Sequence, residues 1–197
     1  MEFCCSGHGS TSTPFKSDQG RGPCARISTL ARFILPALLV LFLSGCETEQ
    51  QSALQIGDSA PGFTLQDLEG NDISLADYKG SPVILRFFLT DCKFCRADTP
   101  VFNEYFSRYG SQGLRILYID SLDTSTKVIA AFRDELDIPF PILVDSGGKT
   151  ARDYKVRALP QTIILNPQHA IIAAILGGVS EEELNRTLAP YINSTGE

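Results

Sequence analysis

Tryptophan is absent from this 197-residue chain, methionine occurs once, and histidine occurs twice, at His8 and His169. A centre built from imidazole and thioether ligands, of the copper or haem kind, therefore has almost nothing to draw on. Four of the six cysteines lie at or before residue 46, which leaves only Cys92 and Cys95 in the rest of the chain. Two thiols are too few for a disulfide framework, and with no histidine beside them they are half of a structural zinc site at most. The apolar run Phe33 to Leu43 has 11 residues, where about 20 are needed to cross a bilayer. Positive charge is also scarce: 17 Lys and Arg against 23 Asp and Glu give a net charge of −6, a sign that disfavours nucleic acid as a partner. Internal repeats and low-complexity segments are missing too, so the folded part reads as one domain.

The short apolar run has a different meaning at its position. Arg21, Arg26 and Arg32 precede it and Leu43-Ser44-Gly45-Cys46 closes it, the order of a basic region, an apolar region and a small-residue cleavage site. Residues 1–45 are therefore expected to be an export signal. Leu-Ser-Gly-Cys also resembles a bacterial lipobox, which implies that Cys46 carries a diacylglyceryl group and becomes the mature N-terminus. An ordinary signal peptide with a chance cysteine is the plainer alternative. The long stretch before the arginines hints at a translation start further in. Removing residues 1–45 takes away two acidic and four basic side chains, leaving 21 acidic and 13 basic and a formal charge of −8. Residues 46–55 are polar and aperiodic, a tether, and the folded body is expected over 56–197.

Within that body, Phe63 to Gln66 and Ile73 to Leu75 flank Glu69-Gly70-Asn71-Asp72, a hairpin pattern. Val83 to Phe88 reads as a central strand. A helix is expected from Cys92 to Tyr109, bent at Pro100, with Val101, Phe102, Tyr105 and Phe106 on its apolar face. Leu114 to Ile119 is the next strand, and Thr124 to Leu136 a helix with Val128, Ile129, Phe132 and Leu136 at helical spacing. Phe140 to Val144 reads as a strand and Lys149 to Tyr154 as a short helix. Strands at Thr162 to Leu165 and Ala170 to Ile175 surround the turn signal Asn166-Pro167-Gln168-His169, where His169 is expected to be an exposed turn residue. Ser180 and Glu183 form a capping box that opens the last helix. Strands alternating with helices, closed by a hairpin and a helix, predict an α/β fold with helices on a central mixed sheet and the first hairpin extending or covering it.

The chemistry gathers at Asp91-Cys92-Lys93-Phe94-Cys95-Arg96-Ala97-Asp98-Thr99-Pro100. A cysteine at a helix N-terminus gains thiolate stabilisation from the free amide groups and the dipole, and a second cysteine one turn in is close enough to form a disulfide. A dithiol switch is the leading expectation. Asp98 follows one turn beyond Cys95. Partly desolvated beside a thiol, its carboxyl could exchange a proton near neutral pH; alternatively it merely complements the helix dipole.

CxxC before a Pro-containing helix, with Leu159-Pro160 some 65 residues on, resembles the thioredoxin fold, and over residues 57–191 the chain resembles the membrane-tethered thiol-disulfide oxidoreductases of the TlpA/ResA type. The matching stretches are Ala60-Pro61-Gly62-Phe63, Leu75 to Gly80, Cys92 to Cys95, Pro100, Asp145 and Leu159-Pro160. The resemblance implies a thioredoxin-like fold with an N-terminal hairpin, catalytic Cys92 and Cys95, and Asp98 at the position of an acidic residue linked to thiol proton transfer. It also implies a cis Pro160 lying against the disulfide, which would turn the Leu159 backbone outward toward a substrate cysteine. The implied partners are proteins bearing disulfides or thiols and a membrane electron donor, at the extracytoplasmic side of a bacterial envelope. No cofactor and no metal are called for.

The chain departs from the thioredoxin pattern at three places. Asp91 and Phe88 stand where tryptophans are usual, so that a carboxylate precedes Cys92 and the ammonium of Lys93 follows it, and Arg86 replaces a buried aspartate six residues before Cys92. Arg86 could pair with Asp98 or snorkel from its strand. Two other functions remain open at this point. A peroxiredoxin-like peroxidase shares the hairpin and the strand-to-helix cysteine, although Leu85 and Leu89 occupy the positions where its Pro and Thr would be. A metal- or haem-protein assembly module would use the thiols as ligands.

Overall fold

The computed structural model describes residues 54–192; the expected signal, Cys46 and all but the end of the tether lie outside the described residues. The architecture is built on β3 (Val83–Phe87), whose five residues are all buried. It pairs in parallel with β4 (Arg115–Asp120) and antiparallel with β6 (Gln161–Leu165), so both of its edges are satisfied. With β1 (Thr64–Asp67), β2 (Asp72–Ser74), β5 (Ile142–Val144) and β7 (Ile171–Leu176) it forms a seven-stranded mixed sheet in the order β2-β1-β5-β4-β3-β6-β7. The first hairpin thus extends the sheet, joined to β5 through Gln66 opposite Val144. Its turn is held by Asp67, whose carboxylate accepts from the backbone of Glu69 and Asn71.

Side-chain alternation along β3 divides the core. Ile84 and the following Phe88 face the layer of α1 (Lys93–Tyr109), α2 (Thr126–Glu135) and α4 (Glu181–Ile192), where they meet Phe102, Tyr118, Phe132, Leu184 and Leu188. Val83, Leu85 and Phe87 face the other side, against Leu75, Leu117, Ile163 and Tyr154, beside the short α3 (Lys149–Asp153). Arg86 shares the parity of Ile84 and Phe88, so a period of two aims it at α1. Phe88 lies 5.3 Å from the Tyr118 ring and 5.1 Å from that of Phe132, and such aromatic pairs each add about 0.5–1.5 kcal/mol beyond their buried area.

The capping box of α4 forms as expected: Glu183 accepts from the Ser180 amide at 2.9 Å, and Ser180 Oγ accepts from the Glu183 amide at 3.3 Å. The helix α1 runs through Pro100 to Tyr109. Three expectations need correction. Val128 is exposed, because α2 turns only Ile129 and Phe132 into the core. The fifth strand starts at Ile142 rather than Phe140, which packs on Phe106 and Tyr118 without joining the ladder. His169 is buried, not exposed. Its turn is drawn tight by Asn166 Oδ1, which accepts from Gln168 and Ala170, and is pressed against the segment before β1 by the Ala60 amide donating to the His169 carbonyl. Burial holds the imidazole below its ordinary titration range.

Candidate active site

The β3–β6 register places two distant stretches at one end of the sheet. Phe87 stands opposite Gln161, so the chain leaving β3 toward Cys92 runs beside Pro160. The Leu159–Pro160 peptide bond is cis, and the buried Pro160 accepts from the Gly177 amide at 2.9 Å.

Cys92 is the N-cap of α1, with extended backbone (φ −76°, ψ 120°), and no side chain caps the helix there. Its carbonyl accepts from the Arg96 amide at 3.1 Å. The Cys92 side chain is half-buried, whereas Cys95 is 1% exposed, and both thiols are free. Burial pushes the Cys95 thiol up to about 12, a hydrogen bond with Cys92 adds to this, and the Leu89 backbone and the charge of Arg86 oppose it. Behind Cys95, Thr99 Oγ1 donates to its carbonyl at 2.6 Å and lies 3.2 Å from the Tyr118 hydroxyl. Between the cysteines, Phe94 is 53% exposed, with Lys93 Nζ 5.0 Å from its ring centre.

Asp98 is buried and its Oδ2 accepts from Arg86 Nη2 at 2.5 Å and from the Val179 amide at 3.0 Å. Its Oδ1 is buried with no hydrogen-bond partner among the described residues. Burial raises the carboxyl above its ordinary range, with Arg86 as the strongest opposing influence. Of the two dispositions open to Arg86 in the sequence, pairing with Asp98 is therefore the one adopted. Sequence reasoning did not foresee the rest of this network: Arg86 Nη1 donates to Thr162 Oγ1 at 2.7 Å and to the Gly177 carbonyl at 2.9 Å, and its guanidinium lies 5.3 Å from the Phe102 ring centre. Beside Leu159, a depression of about 470 Å³ is lined by Leu122, Arg152, Val156 and Arg157 among others. Among the described residues no cluster of three or more His, Cys, Asp or Glu could hold a metal ion. No described helix is long and apolar enough to cross a membrane.

Residues 56–174 match the AhpC/TSA family. The chain is 32% identical over 165 residues to the thiol-disulfide oxidoreductase ResA of Bacillus cereus, an alignment covering 80% of this chain and 95% of that protein. It belongs to the AhpC/TSA family and is a thiol-disulfide oxidoreductase. The thioredoxin-like protein YneN of Bacillus subtilis is 34% identical over 143 residues, covering 72% of this chain and 83% of that one. A crystal structure of a thiol:disulfide interchange protein DsbE from Chlorobium tepidum superposes with a TM-score of 0.65 at 26% identity, over 71% of this chain and 99% of that chain. The oxidoreductase thus has the thioredoxin-like α/β fold that its sequence resembles, and its substrates carry thiols or disulfides.

Proposed function

We propose that this oxidoreductase reduces disulfides in partner proteins through Cys92 and Cys95, from an envelope position to which Cys46 tethers it by a lipid. The observation that carries the reading is the contrast between the two thiols: Cys92 half-exposed at the start of α1, Cys95 buried one turn behind it. In the first step the Cys92 thiolate attacks one sulfur of the substrate disulfide, forming a mixed disulfide and releasing the other sulfur as a thiolate. In the second, Cys95 loses its proton and attacks Cys92 Sγ. The Cys92–Cys95 bond forms, the bond to the substrate breaks, and two electrons pass to the substrate.

Each remaining residue has a role in this scheme. Asp98, with one oxygen unpartnered and a raised proton affinity, accepts the Cys95 proton and returns it to the departing thiolate. Leu159 and Pro160, which lead into β6 beside the end of β3, border the place where the substrate chain lies beside Cys92. Phe94 and Leu122, both exposed, offer apolar contact to that chain. Because an extracytoplasmic space lacks a thiol pool, a membrane electron donor regenerates the dithiol. The lipobox-like Leu43-Ser44-Gly45-Cys46, with residues 1–45 as the export signal and 56–197 as the folded domain, supports the location.

The test is disulfide reduction by the purified protein under a dithiol donor, compared with Cys92→Ser and Cys95→Ser. Loss of turnover in both variants, with Cys95→Ser accumulating a mixed disulfide, is the expected result. Turnover that survives in Cys92→Ser would rule the mechanism out.

A further inference from the structure

Arg86 is 0% exposed in a strand that is otherwise apolar. Withdrawing a guanidinium from water is costly, and apolar side chains of similar volume usually serve stability at least as well as a buried ion pair. Stability alone therefore does not account for it. Its hydrogen bonds are instead aimed at one purpose: Nη2 holds Asp98 Oδ2, while Nη1 is anchored to Thr162 on β6 and to the Gly177 carbonyl after β7. The Val179 amide takes the same Asp98 oxygen, so two donors saturate Oδ2 and leave Oδ1 with none.

Among the described residues, the surroundings of Asp98 supply no second cation. From β3 comes Arg86; from β4 comes Tyr118, its hydroxyl beside that of Thr99; from α1 itself comes Cys95. The Gly177–Val179 connection contributes backbone only, and β6 contributes the Thr162 hydroxyl to Arg86. Without the guanidinium, burial would act on the carboxyl unopposed by any cation in this set and favour the protonated acid.

We propose that Arg86 is a positioning residue that keeps Asp98 charged, with Oδ1 free, so that Asp98 can take the proton of Cys95 in the second step of exchange. This rests on the two-thiol reading above. The proton moves from Cys95 Sγ to Asp98 Oδ1 as the thiolate attacks Cys92 Sγ, and then to the substrate thiolate that leaves. Arg86 itself neither gains nor loses a proton.

The experiment mixes the reduced full-length protein with an aromatic disulfide that releases a coloured thiolate. Attack by Cys92 releases one equivalent and attack by Cys95 on the resulting mixed disulfide releases a second, giving two phases. In Arg86→Met the first phase is expected to persist. The second is expected to slow about tenfold at pH 7, with its midpoint moved up by about one pH unit or more, as loss of an adjacent cation does to a carboxyl. Arg86→Lys, which keeps the charge, is expected to retain most of the second phase. A folded Arg86→Met protein with an unchanged second phase and pH profile overturns the proposal. Because removing one partner of a buried ion pair destabilises the folded protein, Arg86→Met/Asp98→Asn, which leaves no buried charge, is compared with Asp98→Asn. If Arg86 acts through Asp98, the double variant is no slower in the second phase than Asp98→Asn. Further slowing would mean that the guanidinium acts on Cys95 directly, and would also overturn the proposal. A wild-type protein with no second phase, or a first phase that survives in Cys92→Ser, would instead remove the exchange scheme on which it rests.

Discussion

Thr99 Oγ1 donates to the Cys95 carbonyl at 2.6 Å while its oxygen lies 3.2 Å from the Tyr118 hydroxyl, so the backbone beneath the buried thiol is tied to the central sheet. Cys95 is thereby held in the interior while Cys92 stays at the helix end, and this asymmetry has consequences that can be measured.

The thiols should react in a fixed order. With its thiol pushed up to about 12 by burial, Cys95 is protonated at pH 7, and its sulfur is also shielded. Alkylation of the reduced protein near neutral pH, followed by peptide mass mapping, should label Cys92 first. Label found first on Cys95 would reverse the roles assigned to the pair.

Asp98 makes an opposite-sign test of burial against pairing. Burial raises its folded pKa above the ordinary carboxylate range, so the folded state binds a proton more readily than the unfolded state does. That contribution to stability is complete below the unfolded pKa and disappears as pH rises through the folded one. The stability of wild type minus that of Asp98→Asn, from denaturant melts at several pH values, should therefore decrease with rising pH above about 4. A difference that grows instead would mean that Arg86 outweighs burial. At neutral pH the substitution should still cost about 3 kcal/mol, because it leaves the Arg86 charge buried without its partner.

Much of this arrangement was legible in the residues. The run Val83 to Phe88 gives the buried strand, the Ser180–Glu183 pair gives the last helix its start, and the CxxC spacing gives the two thiols on one turn. Local signals suffice there, because periodicity and capping depend on neighbours in sequence. Arg86 and His169 show where they stop. The parity of Arg86 with Ile84 and Phe88 fixes its face, but its choice of Asp98 depends on α1 lying across β3 with the Gly177–Val179 connection alongside. The turn at His169 looks like a surface turn from its Asn-Pro start, yet it is covered by the segment around Ala60, more than a hundred residues earlier. Such cover leaves no periodic trace in the sequence.

The anchor is tested without reference to the fold. Cys46→Ala should abolish acylation and move the protein out of the membrane fraction, and mass spectrometry of the wild-type mature N-terminus should find a diacylglyceryl cysteine at position 46. An unmodified Cys46 would refute the lipid tether while leaving the thiol chemistry untouched.

The direction of electron flow follows from how well the reduced pair is stabilised as a thiolate. Thioredoxin lies at about −270 mV, protein disulfide isomerase at about −180 mV and the strong oxidant DsbA at about −120 mV, the last because its reduced form is stabilised. Here burial sets the Cys95 thiolate at a disadvantage, with Arg86 offering only partial relief, and no histidine lies between the cysteines to add a positive charge. Lys93 is the one cation in that interval, and Asp91 precedes the pair with the opposite charge. The reduced state gains little thiolate stabilisation from this set, so the disulfide should be hard to reduce and the dithiol a good reductant. Equilibration with a glutathione or dithiol buffer, read by mass shift after alkylation, should give a potential nearer that of thioredoxin than that of the isomerase. A value above about −180 mV would exclude a reductant role and turn the same two thiols into an oxidising or isomerising pair.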